Sequence, residues 1–201
     1  MRFLSAFCLA AVLAVFGTGC ASTGGGPKGT APNITMPPAG KARVVFLRPS
    51  SYAYAIHFGV HDGENLIGVM TASSYFTYDC EPGKHLFGTS MEDVALLDAD
   101  LLPDRIYYVK VSAAMGAWIA QVNMYSIHPN CAGNFWEKMP KALRGVRESH
   151  LSSAGIEKDK QGIAHYMERV NKAHPKYLNN PNREQILPEH GQLKPIDALG
   201  S

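Results

Sequence analysis

This 201-residue chain has no basic stripe. Its 19 Lys and Arg stand against 17 Asp and Glu, and no cluster of cations breaks the pattern. A nucleic-acid footprint normally needs such a cluster, so nucleic acid is excluded as a partner. Polybasic attraction to an anionic membrane is excluded for the same reason. The spacings H-x-H, H-E-x-x-H and C-x-x-C are missing, and with them the common metal-ligand patterns. No G-x-S-x-G marks a nucleophile elbow. No cofactor motif occurs, and no cofactor is expected. No apolar run reaches the roughly 20 residues that a spanning helix needs. Cysteine is scarce, at four residues.

What is present begins at the N-terminus. Met1-Arg2 carries a charge, Phe3 to Phe16 is apolar except for Ser5, and Gly17, Thr18 and Gly19 are small. That is the three-part layout of a secretory signal, so residues 1–19 read as a signal peptide. "GTGC" then resembles the bacterial lipobox at Thr18, Gly19 and Cys20, and departs from it at Gly17, where that pattern has Leu. The resemblance implies that Cys20 is the lipid-anchor residue and the mature N-terminus. Ala21 after the cysteine, by resemblance to enterobacterial lipoproteins, permits sorting to the outer membrane. Acyl chains contribute about 0.8 kcal/mol per buried CH₂, so two or more hold a protein stably. Residues 20–40 are rich in Gly, Pro, Ser and Thr and read as a flexible tether.

The rest of the chain suits one domain with a proper core. Residues 41–131 read as strands and turns. "ARVVFLRP" and "RIYYVKV" are apolar at nearly every position, which predicts central strands covered on both faces. "YAIHFGVHDG" alternates, and Asp62-Gly63 marks a hairpin. Seven or eight short strands predict an antiparallel β-sandwich or open barrel. Residues 132–178 predict a helical extension packed on the sheet. Pro140 suits a first helical turn, and Ile163, Met167 and Val170 form one apolar face of a helix ending before Pro175. Residues 179–201 read as an extended tail. The fold class is therefore mainly β with C-terminal helices (α+β).

The segments "GKARVVFLRPSSY", "DGENLIGVMTASSYFTYDCEPGKH" and "DRIYYVKV" together resemble a family of small bacterial lipoproteins known only as a domain of unknown function. They span under half the chain. Their hairpins also resemble P-E-G-A type repeats and transthyretin-like sandwiches of bacterial surfaces. The resemblance implies a β-sandwich and an envelope location, and with Ala21 after the lipid-anchor cysteine the expected place is the outer membrane, facing the periplasm. It implies no reaction and no catalytic residue.

Candidate site residues are few. Tyr52 and Tyr54 in "SSYAY" combine aromatic anchors with small polar neighbours, a composition suited to partner contact. The alternative is that they open a strand and pack on the core. His57, His61, His85 and His128 fall among the strands, and ordinary surface histidines are the favoured reading over a metal site. Cys80 with His85 is a less favoured thiol nucleophile and base. Export favours a Cys80–Cys131 disulfide instead, closing a loop of about 50 residues and contributing roughly 4 kcal/mol by chain entropy. Two free thiols packed as small apolar residues are the competing reading. The clustered carboxylates Asp93, Asp98, Asp100 and Asp104 read as solvated loop charges. The function expected is that of a non-catalytic envelope lipoprotein, bound to the membrane by its lipid and to an envelope protein or glycan by its loops. An envelope hydrolase with a dispersed site, or a periplasmic metal-binding protein, is the alternative.

Overall fold

The computed structural model describes residues 32–90, 93–115 and 120–196. The signal peptide at 1–19, Cys20 and the tether up to residue 31 lie outside the described residues. In chain order the elements are β1 (Ala42–Arg48), β2 (Phe58–Asp62), β3 (Asn65–Met70), β4 (Ser74–Cys80), β5 (Gly83–Ser90), β6 (Val94–Leu101), β7 (Arg105–Met115), β8 (Ala120–Ile127), α1 (Phe135–Leu143), β9 (Arg147–Glu148), α2 (Ser153–Leu178) and β10 (Gln185–Ile186). The protein is mainly β. One five-stranded sheet runs β8-β7-β1-β4-β9 and the other β10-β6-β5-β2-β3. None of the described helices is long and apolar enough to cross a membrane.

The main core lies between the sheets. Val44 and Phe46 of β1, Val109 and Val111 of β7, Phe87 of β5 and Leu97 of β6 meet there. Phe46 stacks on Phe76 at 5.0 Å and meets Phe87 edge-on at 5.3 Å. Alternation sends Val45 and Leu47 the other way, onto a second cluster with Ile106, Tyr108 and the α1 residues Met139 and Leu143. This explains why β1 and β7 are apolar at almost every position: each has a core on both faces. The outer face of the other sheet packs Leu96 against Tyr166 and Val170 of α2, with Ile163 and Met167 alongside. Each such apolar side chain contributes about 1.5–3 kcal/mol on full burial.

The expected all-antiparallel pairing does not hold. β1 runs parallel to β7, with Ala42 opposite Arg105 and Leu47 opposite Lys110. β9 and β10 also join their sheets in parallel. Strand direction follows from connectivity, not from the apolar pattern. The chain leaves β1, builds most of the opposite sheet, and returns to β1's free edge from its starting end. The apolar run marks a strand covered on both faces, whichever way its neighbours run.

Four further expectations change. The tether packs over its last residues: Ile34 is buried in the outer cluster, and Thr35 accepts two hydrogen bonds from Arg43, at 2.7 and 2.8 Å. Ile34, with Met36 packed beside it and Thr35 held by Arg43, is enough to dock a segment otherwise rich in Gly and Pro when the face it meets is apolar. Pro140 lies inside α1 rather than in its first turn. α2 continues through Pro175 to Leu178. Its last turn is held by Tyr177, whose hydroxyl accepts from Asp98 N–H at 2.8 Å and donates to Glu184 O. That anchoring offsets the hydrogen bond a helical proline removes. The tail is not free either, since β10 pairs with β6 and Ile196 is buried.

Candidate functional site

Arg48 ends β1 in phase with Val44 and Phe46, so its side chain enters the core side of the sheet. It is wholly buried. Its guanidinium donates to three carbonyls of the next loop: Nη1 to Ile56 O at 2.7 Å, and Nη2 to Tyr52 O at 2.7 Å and Ala53 O at 2.8 Å. The Phe58 ring lies 5.1 Å from the guanidinium carbon, and Nε has no partner. Among the described residues no carboxylate pairs with Arg48. Burial lowers its pKa, yet a guanidinium stays charged in a protein. The loop carbonyls therefore take the place of a counterion.

The loop is fixed around that cation. Pro49 stops the strand, and Ser50 Oγ accepts from Tyr52 N–H at 3.0 Å. Ala53 takes a left-handed conformation at φ 54°, and Ile56 N–H returns to Ala53 O at 3.0 Å. The outcome is display rather than burial: Tyr52 is 53% exposed and Tyr54 77%. The reading of these tyrosines as core residues is thereby set aside.

Tyr54 borders an open groove of about 660 Å³, with His57, Thr71, Ser73 and Arg147 along it. Ser73 is also left-handed, at φ 50°. Its N–H donates to Ser50 O at 3.2 Å, and its carbonyl accepts from Arg147 N–H at 2.9 Å. Two strained turns and β9 are thus tied into one rim. Strain of this kind costs of order 1–3 kcal/mol per residue and is typical of functional loops. The groove offers hydroxyls, an imidazole and a guanidinium, and no carboxylate lines it.

The histidines do not form a site. His57 precedes β2 and is exposed. His61 is buried and stacked at 4.0 Å on Tyr166, because alternation sends it to the face opposite Phe58 and Val60, where α2 packs. His128 stacks on His190 at 3.7 Å. So the expectation of surface histidines fails for His61 and for His85, which is mostly buried. No group of three His, Cys, Asp or Glu among the described residues is placed to hold a metal.

His85 is the most perturbed of them. Nδ1 lies 2.7 Å from Asp62 Oδ2 and Nε2 2.9 Å from Glu81 O. The Asp62 hydrogen bond, with Cys80 beside the ring, pushes its pKa up to about 10. Both acceptors require a donor, so the ring is an imidazolium. Tyr78 also donates to Asp62 at 3.1 Å. A ring with both nitrogens donating has no lone pair for a thiol proton, so Cys80–His85 is not a nucleophile and base. Its geometry closes the ends of two hairpins.

Cys80 and Cys131 are both free. Cys80 belongs to the core between the sheets, whereas Cys131 packs with the cluster on the outer face of the first sheet. The expected disulfide is corrected accordingly: a sheet separates the thiols. The acidic cluster also disperses. Asp104 Oδ1 accepts from Gly40 N–H at 2.8 Å, and Asp98 lies 3.8 Å from Arg183.

Two groups escaped the sequence. Arg48 was signalled only by its phase with the inward-facing Val44 and Phe46. The other is Ser126, whose Oγ lies 3.0 Å from His190 Nδ1. That nitrogen also accepts from Leu187 N–H at 3.2 Å, and burial lowers the ring's pKa. Among the described residues no carboxylate holds its other nitrogen. The pair therefore lacks the orientation and basicity that activate a serine.

Compared with known proteins, the chain matches no family model, no curated protein and no solved structure.

Proposed function

We propose that this protein is an exported lipoprotein, anchored through Cys20 on the periplasmic side of the outer membrane, that binds an envelope protein or glycan without catalysis. The observation that carries the binding reading is the Arg48-clamped loop, which displays Tyr52 and Tyr54 beside a groove of hydroxyls and a guanidinium. Rigid aromatic side chains give contact area at low entropic cost, and adaptable polar neighbours give hydrogen bonds. Tyrosine rings suit both a peptide surface and the face of a sugar. The fold belongs to the same proposal. Two sheets sharing one core support a β-sandwich, related in kind to the small lipoproteins and transthyretin-like surface domains that the sequence resembles.

Photocrosslinking in the native cell from a probe at position 54 tests the binding. A discrete crosslinked partner is expected, and the Tyr52→Ala change should reduce its yield roughly tenfold if the ring is an anchor worth about 1.4 kcal/mol. Crosslinking that Tyr52→Ala leaves unchanged, with the fold intact, counts against this loop. The anchor has its own test. Cys20→Ser should move the protein from the membrane fraction to the soluble fraction with altered processing. If it stays with the membrane as wild type does, Cys20 carries no anchor.

A further inference from the structure

Strand alternation places Tyr108, Lys110 and Ser112 of β7 on the outer face of the first sheet. Tyr108 goes under α1, where its ring meets Trp136 at 5.9 Å. Lys110 comes next and is half-buried. Its Nζ lies 3.8 Å from the centre of the Phe135 ring and 5.7 Å from that of Tyr125, its neighbour across the strand pair. Two aromatic faces hold a cation in place, but they offer no lone pairs to its three N–H donors. Among the described residues no carboxylate or other acceptor pairs with Lys110, and none pairs with the Ser112 hydroxyl. Burial correspondingly lowers the Lys110 pKa. A lysine half-removed from water without a counterion is costly unless something else supplies the acceptor.

Both residues open into a groove of about 430 Å³ along the edge strand β8. That volume lies in the range of small-molecule sites. Glu184 lines it too. Burial raises its pKa, and the Ser126 backbone opposes that shift. It makes no ion pair with Lys110. His128 lines it as well, stacked on His190 and, like it, shifted down by burial, with Glu189 opposing that shift for both. The groove carries one cation and one carboxylate, unpaired with each other, and the rings of Tyr125 and Phe135 against Lys110 line it too.

We propose that this groove binds a small zwitterion, an amino acid or short peptide, whose carboxylate is received by Lys110 and Ser112 and whose ammonium faces Glu184. The site lies apart from the Tyr52–Tyr54 loop and does not depend on the binding role given to it.

The test uses the full-length ¹⁵N-labelled protein and three probes: L-alanyl-L-alanine, acetate and L-alaninamide. The dipeptide should give saturable amide shifts at Lys110, Ser112, Tyr125 and Ser126. Lys110→Gln should weaken it tenfold or more, the usual cost of losing a charge-assisted contact. Glu184→Gln should weaken the dipeptide but not acetate. Wild-type protein with ¹³C-methylated lysines gives a check that needs no substitution, because the Lys110 signal should move on dipeptide addition. Absence of saturable shifts with every probe up to about 20 mM, a concentration that would populate even millimolar sites, overturns the proposal. Acetate binding as tightly as the dipeptide overturns the zwitterion. Alaninamide binding as tightly as the dipeptide overturns the role of Lys110.

Discussion

Arg48→Met is expected to destabilise the protein by on the order of 3 kcal/mol and to free residues 50–57 from their fixed shape. Methionine fills much of the volume of the arginine stem, so the loss is not chiefly a cavity. What disappears is the donor set for the Tyr52, Ala53 and Ile56 carbonyls. Each buried acceptor left unsatisfied costs about 1–3 kcal/mol, and hydrogen bonds from a charged donor stand at the upper end of the scale. The loop is partly exposed, so water will recover part of the loss. Arg48→Lys should fall between the two, since one ammonium cannot reproduce a planar fork aimed at three carbonyls. Urea denaturation reads the stability, and amide exchange at Tyr52 to Ile56 reads the loop. Wild-type stability together with wild-type protection in Arg48→Met would refute the clamp. A loop that melts while the sheets stay folded would separate the clamp's local role from the core's.

The second large effect is pH dependence at His85. Its pKa is raised from 6.5 to about 10, first by the hydrogen bond to Asp62. A group that holds its proton more tightly in the folded state than in the unfolded one stabilises the fold as long as the proton is on it. The sign is fixed by linkage. The contribution is fully present below pH 6.5, where both states are protonated. It declines as the pH rises from 6.5, where the unfolded histidine releases its proton, and is gone once the folded one is titrated near 10. The full shift corresponds to several kcal/mol at about 1.36 kcal/mol per unit, and residual solvent contact reduces that to on the order of 2–3 kcal/mol. Urea unfolding at pH 6, 8 and 10 should show the decline. His85→Gln should be less stable than wild type by that amount at pH 6 and nearly equal at pH 10. Tyr78, raised by burial and by Asp62, also loses stabilising value in alkali, and the His85→Gln comparison subtracts it. A variant that tracks wild type at a constant offset across the range would exclude the ion pair as the cause.

Much of the fold was legible because its signals are periodic. β1 and β7 read as doubly covered strands from their unbroken apolar runs, and the structure gives each a core on both faces. The Ile163–Met167–Val170 face of α2 was visible at helical spacing and does pack on the sheet. Direction was not legible, since an apolar run has the same pattern whichever way its neighbour points. Nor was the reach of α2 past Pro175, which depends on Tyr177 meeting Asp98 and Glu184 from distant parts of the chain. Composition misled at Ile34 and Met36, where two apolar side chains and the Thr35–Arg43 hydrogen bonds outweighed the Gly and Pro around them. It misled again at the cysteines, because two strand-end positions share no information about which side of a sheet they face. At the candidate site, aromatic composition pointed to Tyr52 and Tyr54, while the cation that shapes their loop was hidden in an ordinary-looking Arg-Pro strand end. Lys110 was invisible for a related reason: its neighbours Tyr125 and Phe135 come from other elements.

The parallel pairing of β1 with β7 also sets the order in which the chain can fold. β1 is the central strand of its sheet, and β2 through β6 separate it from β7 in sequence. Its antiparallel neighbour β4 is available early, but the other edge stays open until β7 has been made and brought back. Until then Val45, Leu47 and a line of backbone donors and acceptors face solvent. The hairpins β2–β3 and β5–β6 close locally and fast, on a scale of microseconds, whereas the long-range closure puts the chain among high-contact-order β proteins that fold in milliseconds to seconds. The interval in between exposes an unpaired central strand, the kind of edge on which chains self-associate. A chaperone that holds the first hundred residues apart until β7 arrives would act on that interval, and a substitution inside β7 would slow refolding more than one in either local hairpin.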